Sequence, residues 1–91
     1  MKKEERKKAV ALGYDPARDL APVVKGKGHG EIADAMIEKA REHGIPIKED
    51  AALVELLDRV DFGDVIPEDL FQAVAEVFAF IYQLDKKADR Q

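Results

Sequence analysis

Hydrophobic and polar residues alternate near the start of this chain. Between residues 9 and 14 the larger side chains Val10, Leu12 and Tyr14 recur at every second position, which predicts a strand with one face in a core. An Asp-Pro pair follows and predicts a turn, because proline fixes its φ angle and aspartate readily bonds to the turn backbone. Two valines within residues 22–25 predict a second, short strand. The pattern therefore places a small sheet in the first third of the chain.

The remaining segments mostly follow a helical period. Apolar residues at helical spacing predict a first helix over residues 32–40, ended by Gly44 in a left-handed conformation. Residues 45–47 predict a third, short strand, and Asp50 is placed to cap a second helix. A last helix is predicted over residues 67–84. We therefore expect a small α/β domain, in which a short mixed sheet of about three strands packs against about three helices.

The last predicted helix has an unusually wide apolar surface, made of two neighbouring stripes. The first stripe consists of Leu70, Ala73, Val74, Val77, Ile81 and Leu84, and the second of Phe71, Ala75, Phe78 and Tyr82. A helix of so small a domain needs only one stripe to contact the core. The second stripe therefore either packs beneath the first strands or faces a partner, and the sequence alone leaves both interpretations open.

The composition favours a binding protein over an enzyme. The chain has 91 residues and a net charge of −4, and it contains no Cys, Ser, Thr or Asn. Covalent catalysis therefore lacks its usual hydroxyl and thiol nucleophiles, and neither disulfides nor thiolate metal sites can form. Negative net charge disfavours binding to nucleic acid, and no apolar run of about 18 residues indicates a membrane span. We expect a cytoplasmic binding protein with no cofactor.

A glycine-rich segment at residues 26–30 is the one motif that suggests chemistry. It reads Gly-Lys-Gly-His-Gly and precedes a predicted helix, so its backbone amides and Lys27 could bind phosphate. Its spacing matches neither a P-loop nor a dinucleotide fingerprint, which favours a structural turn. His29 and His43 are separated by a helix and cannot share a metal ion. A phosphate- or nucleotide-binding regulator remains the alternative hypothesis.

Several separated segments of the chain match one protein family in the same order. They are residues 9–16, 21–24, 27–28, 45–46, 49, 53, 63, 66–68 and 73–77. This order resembles the FlhB/YscU family of type III export switch proteins, which includes EscU, and the likeness covers nearly the whole chain. Members of that family have a membrane-embedded N-terminal half and a cytoplasmic C-terminal domain that helps to select the class of protein exported by the flagellum or injectisome.

The resemblance implies that this chain corresponds to the cytoplasmic domain alone. We expect residues 1–8 to be a basic lead-in that is frayed or disordered, residues 9–84 to form the domain, and residues 85–91 to be a charged tail. The expected location is the cytoplasm, peripheral to the export apparatus at the inner membrane. In the family an Asn-Pro-Thr-His loop cuts its own backbone, but residues 4–7 read Glu-Glu-Arg-Lys here, so we expect no self-cleavage.

The resemblance also implies partners, namely export substrates and the membrane proteins of the export gate. The candidate partner-binding residues are Ala21, Pro22, Phe71, Ala75, Phe78 and Tyr82. We expect Phe78→Asp to abolish binding of an export substrate and to leave the fold intact. A further hypothesis is a homotypic interaction domain, because a first strand without its usual neighbour has an uncovered edge that can pair with another chain. The aromatic face of the last helix is the other candidate surface for such self-association.

Overall fold

The structure, a computed structural model, describes residues 7–89 and the side chains of residues 7–83. Within these residues the elements are β1 (Lys8–Gly13), β2 (Val23–His29), α1 (Glu31–Glu42), α2 (Ala51–Leu57), a 3₁₀ turn (Glu68–Leu70) and α3 (Phe71–Asp89). The predicted small α/β class is confirmed. Most of the predicted lead-in lies outside the described residues, although Lys8 already belongs to β1, and α3 continues five residues beyond the predicted end.

The sheet is antiparallel and smaller than the sequence suggests. β1 and β2 pair from Lys8 opposite His29 to Gly13 opposite Val23, with an irregularity after Ala11. On the other side of β2, Val23 forms an isolated antiparallel bridge with Val65. Among the described residues the sheet therefore contains two antiparallel strands and one added bridge. It has no parallel pair of strands, so it is not the mixed sheet that was predicted.

The predicted third strand at residues 45–47 does not form. The N–H group of Ile45 instead donates to the carbonyl oxygen of Ala40 at 2.8 Å, which completes the C-terminal end of α1. Pro46 has no N–H group to offer a neighbouring strand. The segment is therefore committed to the end of a helix, and residues 64–66 take the place beside β2.

Local chemistry determines the helix ends. Gly44 has a φ angle of 68°, as predicted for a left-handed cap, and it allows the chain to turn out of α1. Asp50 caps α2 as predicted, because its Oδ1 atom accepts a hydrogen bond from the Leu53 N–H group at 3.1 Å. Pro67 precedes the 3₁₀ turn that leads into α3. Each of these ends follows from residues adjacent in sequence.

The main core lies between one face of the sheet and the helices α2 and α3. Its buried members are Leu53, Leu57, Ile66, Leu70 and Val74, and Val10, Leu12, Ala73, Val77 and Phe78 pack against them. The first stripe of α3 thus faces inward from Leu70 to Val77, with Val74 fully buried. The helix α1 covers the opposite face of the sheet, where Ala33 is fully buried. This arrangement leaves Phe71, Ala75 and Tyr82 of the second stripe exposed, whereas Phe78 is partly buried.

Candidate functional site

An open apolar groove of about 370 Å³ lies between the start of β2 and the first half of α3. Five of the six predicted partner-binding residues line it, namely Ala21, Pro22, Phe71, Ala75 and Phe78. The sixth, Tyr82, lies one turn beyond Phe78 on α3, is largely exposed and does not line the groove. Two segments nearly 50 residues apart in sequence therefore meet in one surface feature.

Three further residues line the groove that were not predicted for it: Tyr14, Leu20 and Ile66. The Tyr14 ring packs near the Phe78 ring, with 6.4 Å between the ring centroids and a tilt of 35°. Leu20 is 97% exposed, in a loop without periodicity, so no sequence pattern marks it. The only signal in the sequence that could have placed Leu20 in the groove is its position directly before Ala21 and Pro22.

The groove has a buried floor and exposed walls. The buried residues Ala21 and Ile66 form the floor, where the Ile66 N–H group donates to the carbonyl oxygen of Pro22 at 2.9 Å. Phe71, which is 43% exposed, stands on α3 one turn before Ala75. Because Ala75 has only a methyl group, it leaves a gap in that helix face. The backbone therefore holds the shape, and large apolar side chains border it.

The lining of the groove is almost entirely apolar. Every side chain that lines the groove is apolar except Tyr14, and no carboxylate, imidazole or ammonium group is among them. Exposed apolar surface of this kind loses contact with water when another apolar group covers it, which drives association. The groove is therefore suited to the aliphatic or aromatic side chains of a partner.

The glycine-rich segment has a structural role, and the prediction of a turn at residues 26–30 is wrong. Residues 23–29 form β2 because they pair with β1, and α1 packs closely over Gly28 of that strand. The Lys27 Nζ atom donates to the carbonyl oxygens of Asp58 and Val60, both at 2.9 Å. These carbonyl groups lie at the C-terminal end of α2, where a cation is favourable. The ammonium group on which the phosphate hypothesis depends is therefore engaged within the fold.

The neighbouring imidazole is engaged in the same way. The Nε2 atom of His29 lies 2.9 and 3.0 Å from the two carboxylate oxygens of Asp58. This hydrogen bond lowers the pKa of Asp58 below its ordinary value, and the positive charge of Lys8, 3.8 Å from the carboxylate, acts in the same direction. The contacts of His29 and Lys8 with Asp58 hold the C-terminal end of α2 against the sheet. His43 bonds to the carbonyl oxygen of Lys39 within α1 and does not approach this cluster.

The described residues contain no helix that combines the length and the apolar character needed to cross a bilayer. The longest of these helices, α3, has nineteen residues, and Gln72, Glu76 and Gln83 lie between its apolar side chains. The wide apolar surface of α3 is therefore explained by the core on one side and the groove on the other.

The comparison with known proteins agrees with the resemblance read from the sequence. Residues 6–81 match the family described as FlhB HrpN YscU SpaS. The chain is 50% identical over 80 residues to the uncharacterized protein YlqH of Bacillus subtilis, covering 88% of this chain and 86% of YlqH. It is 39% identical over 80 residues to the flagellar biosynthetic protein FlhB of Aquifex aeolicus, covering 87% of this chain but only 23% of that FlhB.

Solved structures show the same fold. The cytoplasmic domain of FlhB from Shewanella putrefaciens superimposes with a TM-score of 0.84 at 38% identity, covering 89% of this chain and 64% of that one. A mutated C-terminal domain of EscU superimposes with a TM-score of 0.80 at 28% identity, covering 84% of this chain and 93% of that one. The chain is thus similar to one domain of proteins about four times its length.

Proposed function

Because this chain belongs to the FlhB HrpN YscU SpaS family, we propose that it is a component of flagellar or type III protein export that binds short apolar segments of exported proteins. The observation that carries the proposal is the open groove between the start of β2 and α3. A domain of this size has little apolar surface to spare, and leaving aromatic and aliphatic groups in water is unfavourable. A partner that covers them explains why they are there.

The dimensions of the groove suit a short peptide. Its volume of about 370 Å³ falls at the lower end of the range found for ligand sites, which is enough for one or two large side chains. Covering groups such as Leu20 and Phe71 contributes about 1.5–3 kcal/mol for each side chain, before the cost of ordering the peptide. The expected affinity is therefore modest, which suits a transport component that must release each substrate.

The length of the chain relative to FlhB suggests how it acts. It covers about a quarter or less of each FlhB relative, and the part that it matches is the cytoplasmic domain. We infer that it acts in the cytoplasm beside the export apparatus and occupies the role of the corresponding domain of a full-length FlhB. A membrane protein of the export gate is the other partner that the same groove would accept.

Ala75→Glu tests the groove with little disturbance of the fold. Ala75 is exposed on α3, and glutamate is a good helix former, so the variant should fold like the wild type. A carboxylate in the gap should weaken peptide binding at least about tenfold, because a bound apolar group would desolvate it. The measurement is fluorescence anisotropy with overlapping peptides that tile proteins exported by the flagellar apparatus.

Ala35→Glu is the matched control, since it makes the same change at an exposed position of α1, away from the groove. It should bind peptides like the wild type. Absence of binding by the wild type to any of the peptides, or equal binding by Ala75→Glu, would contradict the proposal.

We also propose that this chain remains uncut, unlike the family members whose Asn-Pro-Thr-His loop cleaves itself. That reaction needs an asparagine side-chain amide to attack the asparagine's own backbone carbonyl group and so break the bond to the next residue, and this chain has no asparagine. Mass spectrometry of the purified protein after prolonged incubation at neutral pH should show one species with the mass of the whole chain. A fragment that begins within or just after residues 4–7 would show that another chemistry cuts the backbone there.

A further inference from the structure

One edge of the sheet has no hydrogen-bonded neighbour among the described residues. β1 pairs with β2 on one side, and no other strand or bridge joins it on the other. Val10 and Leu12 on β1 stay partly exposed although they pack against the core, whereas Val24, opposite Leu12, is fully buried. The exposure of these valine and leucine side chains is what an uncovered edge strand would show.

The hydrogen bonds at the start of β1 determine which of its backbone groups face outward. The Gly30 N–H group donates to the carbonyl oxygen of Lys7 at 2.7 Å, so the backbone groups of Lys7 face β2. In an antiparallel ladder the residues of one strand alternate between facing their partner and facing away. The next residue, Lys8, opposite His29, therefore directs its N–H and C=O groups away from β2.

The far end of β1 gives the same alternation independently. Val24 lies opposite Leu12, but the Val24 N–H group donates to the carbonyl oxygen of Asp64 at 3.0 Å, on the other side of β2. Leu12 thus has no partner in β2, and its backbone groups also point outward. The residues of β1 with outward N–H and C=O groups are Lys8, Val10 and Leu12.

The charges beside this edge indicate what can pair with it. Lys7 directly precedes β1 and Lys8 begins it, whereas Asp15 and Asp19 follow its end. The side chains of Lys7 and Asp15 are 59% and 54% exposed, and their ion pairs within the molecule are of the weak surface kind. If two β1 strands pair antiparallel, the basic end of each lies beside the acidic end of the other. Parallel pairing would place like charges together, which is unfavourable.

We propose that two copies of this chain associate through their β1 edges, antiparallel and about a two-fold axis at Val10. This register pairs Val10 with Val10 of the second copy and Lys8 with Leu12, so every outward backbone group of β1 finds a partner. The two small sheets become one sheet of four strands, which removes the exposed edge from both copies. The groove beside α3 is a separate surface and is not needed for this association.

The oligomeric state and one backbone substitution test the proposal. Light scattering should show the mass rising from one chain to two as protein concentration increases, and falling again at high salt, which screens the charges. Val10→Pro removes an outward N–H group without removing any bond between β1 and β2, and should weaken the dimer at least about tenfold. Val10→Ala is the matched control, since it also shortens the side chain but keeps the N–H group and should remain a dimer.

Cysteine cross-linking tests the register, because the chain has no cysteine of its own. In the proposed pair Ala9 lies opposite Ala11 of the second copy, without hydrogen bonds between them, at a Cα separation of about 4.5 Å that permits a disulfide. Ala9→Cys mixed with Ala11→Cys should cross-link on oxidation much faster than either variant alone.

Four results would overturn the proposal, and the first three concern the dimer itself. They are a monomer mass at every soluble concentration of the wild type, a dimer unaffected by Val10→Pro, and cross-linking no faster in the mixture than in the separate variants. The fourth is binding of an extended segment of another protein to the β1 edge of a monomer, which would show that the edge pairs with that protein and not with a second copy. If Val10→Pro fails to fold, the light-scattering mass of the wild type and the cross-linking of the two cysteine variants still test the proposal.

Discussion

Gly28→Ala should destabilise this domain by about 1–3 kcal/mol, although it adds only one methyl group. A Cβ atom at Gly28 would lie 2.7 Å from both Ile32 Cγ2 and Met36 Sδ, and 3.2 Å from the backbone nitrogen of Ala33. The side chains must move, and the backbone of α1 limits how far they can. For a domain of this size, each kcal/mol corresponds to about 4–8 °C in the melting temperature.

Gly26→Ala is the matched control for that change. Gly26 lies on the same strand, but a Cβ atom there meets Ala11 at 3.7 Å and Met36 at 3.8 Å, which are ordinary contact distances. Its effect should stay within about 0.5 kcal/mol of the wild type. Thermal unfolding followed by circular dichroism compares the two variants. Equal stability of both would show that α1 does not press on β2 at Gly28.

The glycines of this segment show where sequence reasoning fails. Glycine before a helix is a sign of a loop that can bind anions, and local sequence cannot distinguish that loop from a strand under a closely packed helix. The pairing of residues 23–29 with β1 decides between them, and the side chains of Ile32 and Met36 on α1 then lie over Gly28. The engagement of Lys27 with carbonyl groups more than 30 residues away is likewise a tertiary fact.

The features that could be predicted are those that neighbouring residues determine. The Gly44 and Asp50 caps and the inward stripe of α3 follow from local conformation and from helical periodicity. The third strand was misplaced because a short apolar segment can end a helix as well as join a sheet. The bridge at Val65 involves a single residue pair, which leaves no alternation to detect.

The residues of the candidate site likewise fall into those that periodicity predicts and those that it does not. The spacing of Phe71, Ala75 and Phe78 on α3 gives one helix face, so periodicity placed these residues together. The same periodicity extended the face to Tyr82, but the groove ends at Phe78 and Tyr82 does not line it. Tyr14 and Leu20 enter the groove through the path of the loop between β1 and β2, which no pattern in that loop specifies.

Phe78→Asp should unfold much of the protein, in contrast to the expectation drawn from the sequence that it would leave the fold intact. The Phe78 ring is only partly exposed, packs against the core cluster and lies beside the ring of Tyr14. Removing a fully buried phenylalanine side chain typically costs about 3–5 kcal/mol and a partly exposed one costs less, but an aspartate at this position adds the cost of desolvating a charge. That total is comparable with the whole stability of a small domain, about 5–10 kcal/mol.

Phe71→Asp provides the comparison that separates folding from binding. Phe71 also lines the groove, but it is more exposed and begins α3, where a negative charge interacts favourably with the helix dipole. This variant should keep its circular dichroism spectrum, lose less than about 1 kcal/mol in urea unfolding, and still lose peptide binding. If Phe78→Asp proved as stable as Phe71→Asp, the Phe78 ring would contribute to the groove alone. If it unfolds as expected, the core and the groove share this ring, and the shape of the groove depends on the packing of the core beneath it.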